Sequence, residues 1–243
     1  MPKKALAPSV ADENSAPGGV AAVDRALSLL AAFRTGEATL TLGELAERSK
    51  LYKSTALRLL ASLEHARLVL RKGDGVYALG PELARLHAIY TGSFALDAVV
   101  LPVLQDLVAR TQESAAFHVR QGDHRLCLYR VDSPHLLRDH IRAGDVLPLD
   151  RGAGGRVLRA FSGATGASYD AIRKQGFVEL DGDRVRDLSG ISAPVFGPGD
   201  QLAGALTLTM PTQRKRPQFA AAVRKAAAEL TQRLGGQRHA PAG

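Results

Sequence analysis

The spacing of apolar residues predicts a helical beginning that gives way to alternating segments. Val23, Ala26, Leu27, Leu30 and Phe33 recur at helical spacing, and Gly36 closes that element. Thr39-Leu40-Thr41 reads as a short extended piece. Thr41 then caps a second helix: its hydroxyl accepts from a free amide, and Glu44 stands three residues on. This helix runs through Leu42, Leu45 and Ala46 to about Ser49. The three-residue turn Lys50-Leu51-Tyr52 leads into a helix over about 53–65, with Ala56, Leu59, Leu60 and Leu63 on one face.

The period then changes. Leu68 and Leu70 are followed by Lys72-Gly73-Asp74-Gly75, then Val76, Ala78 and Leu79. Asp-Gly between two β-prone runs predicts a hairpin, because its tight turn needs positive φ. Pro81 opens a connecting helix. The apolar series from Leu96 to Val108 is interrupted by Pro102, which predicts a kink or a fresh helix start. Alternation over 115–120 and 125–131, around Gln121-Gly122-Asp123, predicts a second hairpin, and 141–149 a further strand. A glycine-rich turn runs into a short helix over 152–160, and another helix covers 168–174. Strands over 191–196 and 202–210 flank Gly197-Pro198-Gly199-Asp200. A closing helix aligns Phe219, Val223, Ala226, Leu230 and Leu234. There is no internal repeat. The fold class is α+β: a small helical domain with a β-wing, a linker helix and a mixed domain.

Composition sharpens the ends of this layout. Residues 1–19 are rich in Ala, Pro, Ser and Gly without periodicity and read as a disordered arm, with no apolar stretch of a signal peptide. The 243 residues carry a formal net charge of +8. Residues 1–90 hold 12 basic and 9 acidic side chains, residues 91–211 hold 13 and 14, and residues 212–243 hold 7 and 1. A polyanionic partner therefore suits the ends and not the middle, although basic termini also serve solubility alone. No run of about 18 apolar residues exists, so no membrane span is expected. Cys127 is the only cysteine, which excludes an intrachain disulfide and a thiolate zinc site and points to a reducing cytoplasm.

Two short helices, a tight turn and a hairpin make a winged helix-turn-helix. Its second helix is the one expected in a DNA major groove. That helix offers Lys53, Ser54, Thr55 and Arg58 outward, and Arg71 and Lys72 charge the wing. Hydroxyls and a helix N-terminus suit phosphate oxygens; the Arg58 fork suits guanine or a bidentate phosphate. A protein-binding winged helix is the rival reading.

Several runs carry a resemblance. Ala21-Ala22-Val23-Asp24-Arg25-Ala26-Leu27, Thr41-Leu42-Gly43-Glu44-Leu45-Ala46, Lys53-Ser54-Thr55-Ala56-Leu57-Arg58-Leu59-Leu60 and Val76-Tyr77-Ala78-Leu79-Gly80 resemble the IclR family of bacterial transcriptional regulators. Val146-Leu147-Pro148-Leu149, the glycine-rich turn after it, and Ile191-Ser192-Ala193-Pro194-Val195-Phe196 resemble that family's effector-binding domain. The resemblance covers about residues 20–235. It implies a winged helix-turn-helix over 20–80, a linker helix over 81–92, a GAF-like α/β effector domain over 93–236 and a disordered tail over 237–243. The partners it implies are double-stranded operator DNA, a small-molecule effector and further copies of the chain, as a dimer or tetramer joined through the first and linker helices.

Departures from the family are specific. Lys50 and Arg67 stand where glycine is usual in the turns flanking the recognition helix, at roughly 1 kcal/mol each if φ stays positive. The turns are therefore expected to be tighter or reshaped. Tyr52 replaces a small residue or proline. In the effector domain the resemblance maps a cavity onto Ala153, Gly154, Asp181, Gly190, Thr207 and Thr209. Free amides at a helix start suit a carboxylate, although the glycine run also serves as a plain tight turn. Thr207 and Thr209 share one face of a strand and need a polar partner, either a ligand or the backbone. Asp150 and Gly152 replace His and a hydroxyl residue, and Gly190 replaces a thiol or hydroxyl. Such losses predict a larger cavity and a bulkier, aromatic or long-chain acid.

The seven histidines lack HExxH spacing, although His118 and His124 are placed to meet across a hairpin. There is no G-x-S-x-G and no P-loop. A hydrolase using the glycine-rich turn as an oxyanion hole would lack a nucleophile–base pair, so no enzyme activity, metal or cofactor is expected.

Overall fold

The computed structural model describes residues 8–34, 36–92 and 96–237, which fall into two compact units, 8–92 and 96–237. The first contains α1 (Val10–Glu13), α2 (Ala21–Ala31), β1 (Leu40–Thr41), α3 (Leu42–Ser49), α4 (Lys53–His65), β2 (Val69–Arg71), β3 (Val76–Leu79) and α5 (Pro81–Gly92). The strands pair antiparallel in the order β1-β3-β2. Leu29, Leu45, Ala56, Leu60, Val69 and Tyr77 form the core that fixes α4 against the wing.

Local chemistry explains the boundaries. Thr41 Oγ1 accepts from the Glu44 amide (3.2 Å) while the Glu44 carboxylate accepts from the Thr41 amide (2.8 Å), so both ends of the capping box are made. Asp74 and Gly75 turn the hairpin at φ 56° and 72°. Lys50 and Arg67 keep the left-handed conformation, φ 53° and 57°, without reshaping their turns. The expectation of altered turns is thereby corrected: the core on either side of α4 holds both residues in the strained region.

The expected arm is corrected as well. Its residues 1–7 lie outside the described residues, but α1 forms one capped turn: Ser9 Oγ accepts from the Asp12 amide, and Asp12 accepts from Ser9. Ala11 is buried, Asp12 pairs with Arg25 (2.8 Å) and Glu13 with Lys50 (3.0 Å). Two ion pairs and a capping box order a stretch whose composition alone suggested disorder.

The second unit contains α6 (Leu96–Thr111), β4 (Ser114–Gln121), β5 (His124–Val131), β6 (Val146–Pro148), α7 (Gly152–Phe161), α8 (Ala167–Gln175), β7 (Val178–Asp181), β8 (Leu188–Phe196), β9 (Leu202–Pro211) and α9 (Gln218–Arg233). Its sheet is antiparallel in the order β6-β5-β4-β9-β8-β7. Leu104 and Leu107 of α6 and Val223 and Leu230 of α9 pack with Phe117, Ile191, Leu206 and Leu208. Val157 and Leu158 of α7 pack with Ala205, Val178 and Ile172 in a separate cluster.

Three expectations change here. No fresh helix starts at Pro102: one helix runs through it, with Val100, Val103, Leu104 and Leu107 buried on both sides. Of the expected 141–149 strand, regular pairing covers residues 146–148; Gly144 at φ 92° and the Arg142–Asp145 turn precede it, with Gly144 and Asp145 bonding to the Cys127 backbone. The edge strand β7 is additional: Val178-Glu179-Leu180-Asp181 alternates, but over four residues only. Residues 238–243 of the expected tail lie outside the described residues. Among the described residues no helix is long and apolar enough to cross a membrane.

Candidate nucleic-acid interface and effector cavity

The αL residue Lys50 ends α3 and lets the chain reverse within three residues into α4. Tyr52, at the start of α4, makes no side-chain cap, and the first turn holds no acidic residue. Free N–H groups and the positive end of the helix dipole are therefore left open. Lys53, Ser54 and Arg58 are exposed there, and Thr55 is half-buried. Neither Lys53 nor Arg58 forms an ion pair among the described residues. Thr55 and Arg58 border a surface cleft of about 300 Å³ with Ala22 and Arg25 of α2. On the wing, Arg71 ends β2 and Lys72 enters the hairpin turn, both exposed. By contrast Lys50, in the turn before α4, is matched by Glu13.

The second unit encloses a cavity at the start of α7. Of the six mapped residues, Ala153, Gly154, Gly190, Thr207 and Thr209 line it, and Asp181 does not. Asp181 instead accepts from Ser189 Oγ (2.6 Å) and from Lys215 Nζ (2.6 and 2.9 Å), which hold its carboxyl below the usual range. The acidic residue in the wall is Asp183. Burial pushes its pKa up, but Arg156 (2.9 Å) and the Gly152 amide (2.6 Å) more than offset this and leave it lowered. Thr207 finds its partner in Ser192 (2.9 Å), whose own hydroxyl donates to the Leu206 carbonyl (3.0 Å). Thr207 is thus the donor of the pair, and its oxygen remains able to accept.

The glycines do not enlarge the cavity. Gly152 has φ 74°, which a side chain would strain, and a methyl added there would lie 3.0 Å from Arg125 Nη2. One added at Gly190 would lie 3.2 Å from the Ala153 methyl. The space is taken by neighbours, and about 30 Å³ stays free, room for one or two waters. The size argument for a bulky ligand is corrected accordingly.

Two residues dominate the chemistry of this cavity: Arg125, which sequence reasoning passed over, and His118, which it considered only as a partner for His124. Arg125 of β5 is only 3% exposed and His118 of β4 only 2%. Arg125 Nε and both His118 ring nitrogens are buried without a hydrogen-bond partner among the described residues. Burial, with Arg125, Arg130 and Arg184 facing it, holds the His118 pKa well below its usual value. The register sets His118 opposite Cys127 and His124 opposite Gln121, so the two histidines do not meet. Cys127 is fully buried, and burial pushes its thiol up to about 12. The signal for Arg125 was present in the alternation: Arg125, Cys127 and Tyr129 are the buried positions of β5.

A three-stranded wing behind a helix pair, with an open recognition-helix start, defines a transcriptional regulator of the winged helix-turn-helix class. The family models for the IclR helix-turn-helix domain and the bacterial transcriptional regulator IclR C-terminal domain match residues 22–73 and 88–169. The chain is 27% identical to the Transcriptional repressor IclR of Escherichia coli (strain K12), over 97% of each chain. It is also similar in structure to a putative IclR transcriptional regulator from Silicibacter sp. TM1040 (TM-score 0.78, 26% identity, covering 91% of this chain and 100% of that one). An IclR homologue from Microbacterium hydrocarbonoxydans, complexed with 4-hydroxybenzoate, shares the fold (TM-score 0.75, 22% identity, covering 88% and 98%). The chain belongs to the IclR family; it is a DNA-binding transcriptional regulator and not an enzyme.

Proposed function

We propose that this regulator holds operator DNA through Lys53, Ser54, Thr55 and Arg58 of α4 and through Arg71 and Lys72 of the wing, and that a small organic acid in the second unit controls that hold. The uncapped, basic and unpaired start of α4 carries the first half of the reading. The cavity at the start of α7 supports the second, with Ala153, Gly154, Gly190, Thr207 and Thr209 as its effector residues and Asp183 in place of Asp181. A ligand preferring one state of the effector domain would shift the population of DNA-competent molecules.

The 4-hydroxybenzoate bound to the Microbacterium homologue favours an aromatic acid. A benzoate ring exceeds the free space, so its entry requires the cavity wall to move; a two- or three-carbon acid demands less. A dimer or tetramer is favoured by exposed apolar residues on the first and linker helices: Val23 and Leu27 of α2, Leu86 and Ile89 of α5. Paired recognition helices multiply specificity. Action on chromosomal DNA implies the cytoplasm.

Footprinting the purified protein on its own upstream region, with and without benzoate and pyruvate, tests the reading. Protection that changes with one acid is expected. A folded sample that protects no duplex in dilute buffer overturns it.

A further inference from the structure

Of the charged residues lining the cavity, Arg184 pairs with Asp139 (2.8 Å), which Arg130 also approaches (3.8 Å), and Asp183 pairs with Arg156 (2.9 Å). Arg125 has no ion pair among the described residues, and it lies against the wrong partner. A methyl added at Gly154 would sit 2.9 Å from Arg125 Nη1, 2.7 Å from Thr207 Oγ1 and 3.3 Å from His118 Nδ1. A guanidinium thus abuts the positive end of the α7 dipole, where burial leaves little screening. The Gly152 amide is taken by Asp183, whereas no hydrogen bond to the Ala153 or Gly154 amide is found among the described residues.

We infer that Arg125 is the counter-charge for a monoanionic ligand, whose carboxylate sits between the guanidinium and the first amides of α7. The inference rests on the reading of this cavity as the effector site. One unmatched cation calls for one negative charge; a dianion would leave a net buried charge of the opposite sign. Burial first, and then Arg184, lower the Arg125 pKa to about 10, so it stays charged at neutral pH. His118, neutral there, offers one further N–H. The ligand class is a monocarboxylic acid, and Arg125 is the residue that selects for it.

The test uses the full chain, with calorimetry and thermal unfolding against benzoate and pyruvate, their amides, and the dianions phthalate and malonate. Wild type should bind at least one monocarboxylate, at least tenfold tighter than its amide or the related dianion. Arg125→Met should lose about a hundredfold in affinity, while its ligand-free Tm stays level or rises, because an unmatched buried charge is gone. Arg125→Lys should keep the charge, lose the fork and bind about tenfold more weakly than wild type. Equal binding of the amide or the dianion overturns the inference, as does a folded Arg125→Met protein that binds like wild type; in both cases the effector reading survives. A marked fall in the ligand-free Tm of Arg125→Met also overturns it, by assigning Arg125 a structural role. Wild type that binds none of the acids overturns both.

Discussion

Helices α4 and α7 begin alike in that neither N-cap residue caps its helix and neither first turn holds an acidic residue, although Asp183 takes the Gly152 amide of α7. Both therefore present open amides and a partial positive charge. Their surroundings differ. At α4 the neighbouring cations Lys53 and Arg58 are exposed, and salt screens them within about 10 Å. At α7 the neighbouring cation is the buried Arg125, hardly screened at all. Each weak contact of an exposed start gains strength only when summed along a polyanion. On the proposed reading, a buried start holds one small charge and rejects a second, and solvent access separates the nucleic-acid surface at α4 from the small-molecule seat at α7.

Three experiments probe that contrast. Gly155→Ala would push the start of α7 away from the turn that follows β6, since the added methyl presses into the Leu149 carbonyl oxygen. A loss of about 3 kcal/mol in denaturant unfolding is expected; a loss under about 1 kcal/mol would mean that this start is not tightly seated. Arg58→Ala should weaken operator binding by about 2 kcal/mol, roughly thirtyfold, in fluorescence anisotropy. Wild-type DNA affinity should fall steeply with salt, while acid binding in the cavity barely responds. Unchanged affinity in Arg58→Ala would remove the outer face of α4 from the interface.

The smallest effect concerns His118. Its folded pKa lies below the unfolded value near 6.5, so the unfolded chain binds more protons in that window. Stability is then complete above about pH 6.5 and falls as the pH drops below it. Between pH 6.5 and 5.5 wild type should lose about 1 kcal/mol more than His118→Gln. Parallel profiles for the two proteins would show that the ring is not held neutral.

The fold was most legible where local chemistry and tertiary packing agree. The bounds of α4 follow from a three-residue turn before it and a buried stripe of Ala56, Leu60 and Leu63 along it. The wing follows from Asp74-Gly75. Legibility failed where partners distant in sequence decide the outcome. Ser9 and Asp12 carry a capping signal, but α1 also depends on Arg25 and Lys50, which composition does not reveal. Asp181 and Asp183 are two residues apart, and only the positions of Lys215 and Arg156 determine which of them enters the cavity wall. Arg125 was hidden for a related reason: a charged residue in an alternating strand suggests the wet face, yet it shares the dry one with Cys127 and Tyr129.

Cys127 offers a practical consequence. As the sole thiol, fully buried and far from ionised at neutral pH, it should resist iodoacetamide in the native protein. Alkylation then proceeds only when β5 detaches from its neighbours, so the labelling rate becomes a clock for transient opening of the sheet. An acid that occupies the adjacent space should slow that clock, giving a readout of occupancy that needs neither DNA nor a chromophore.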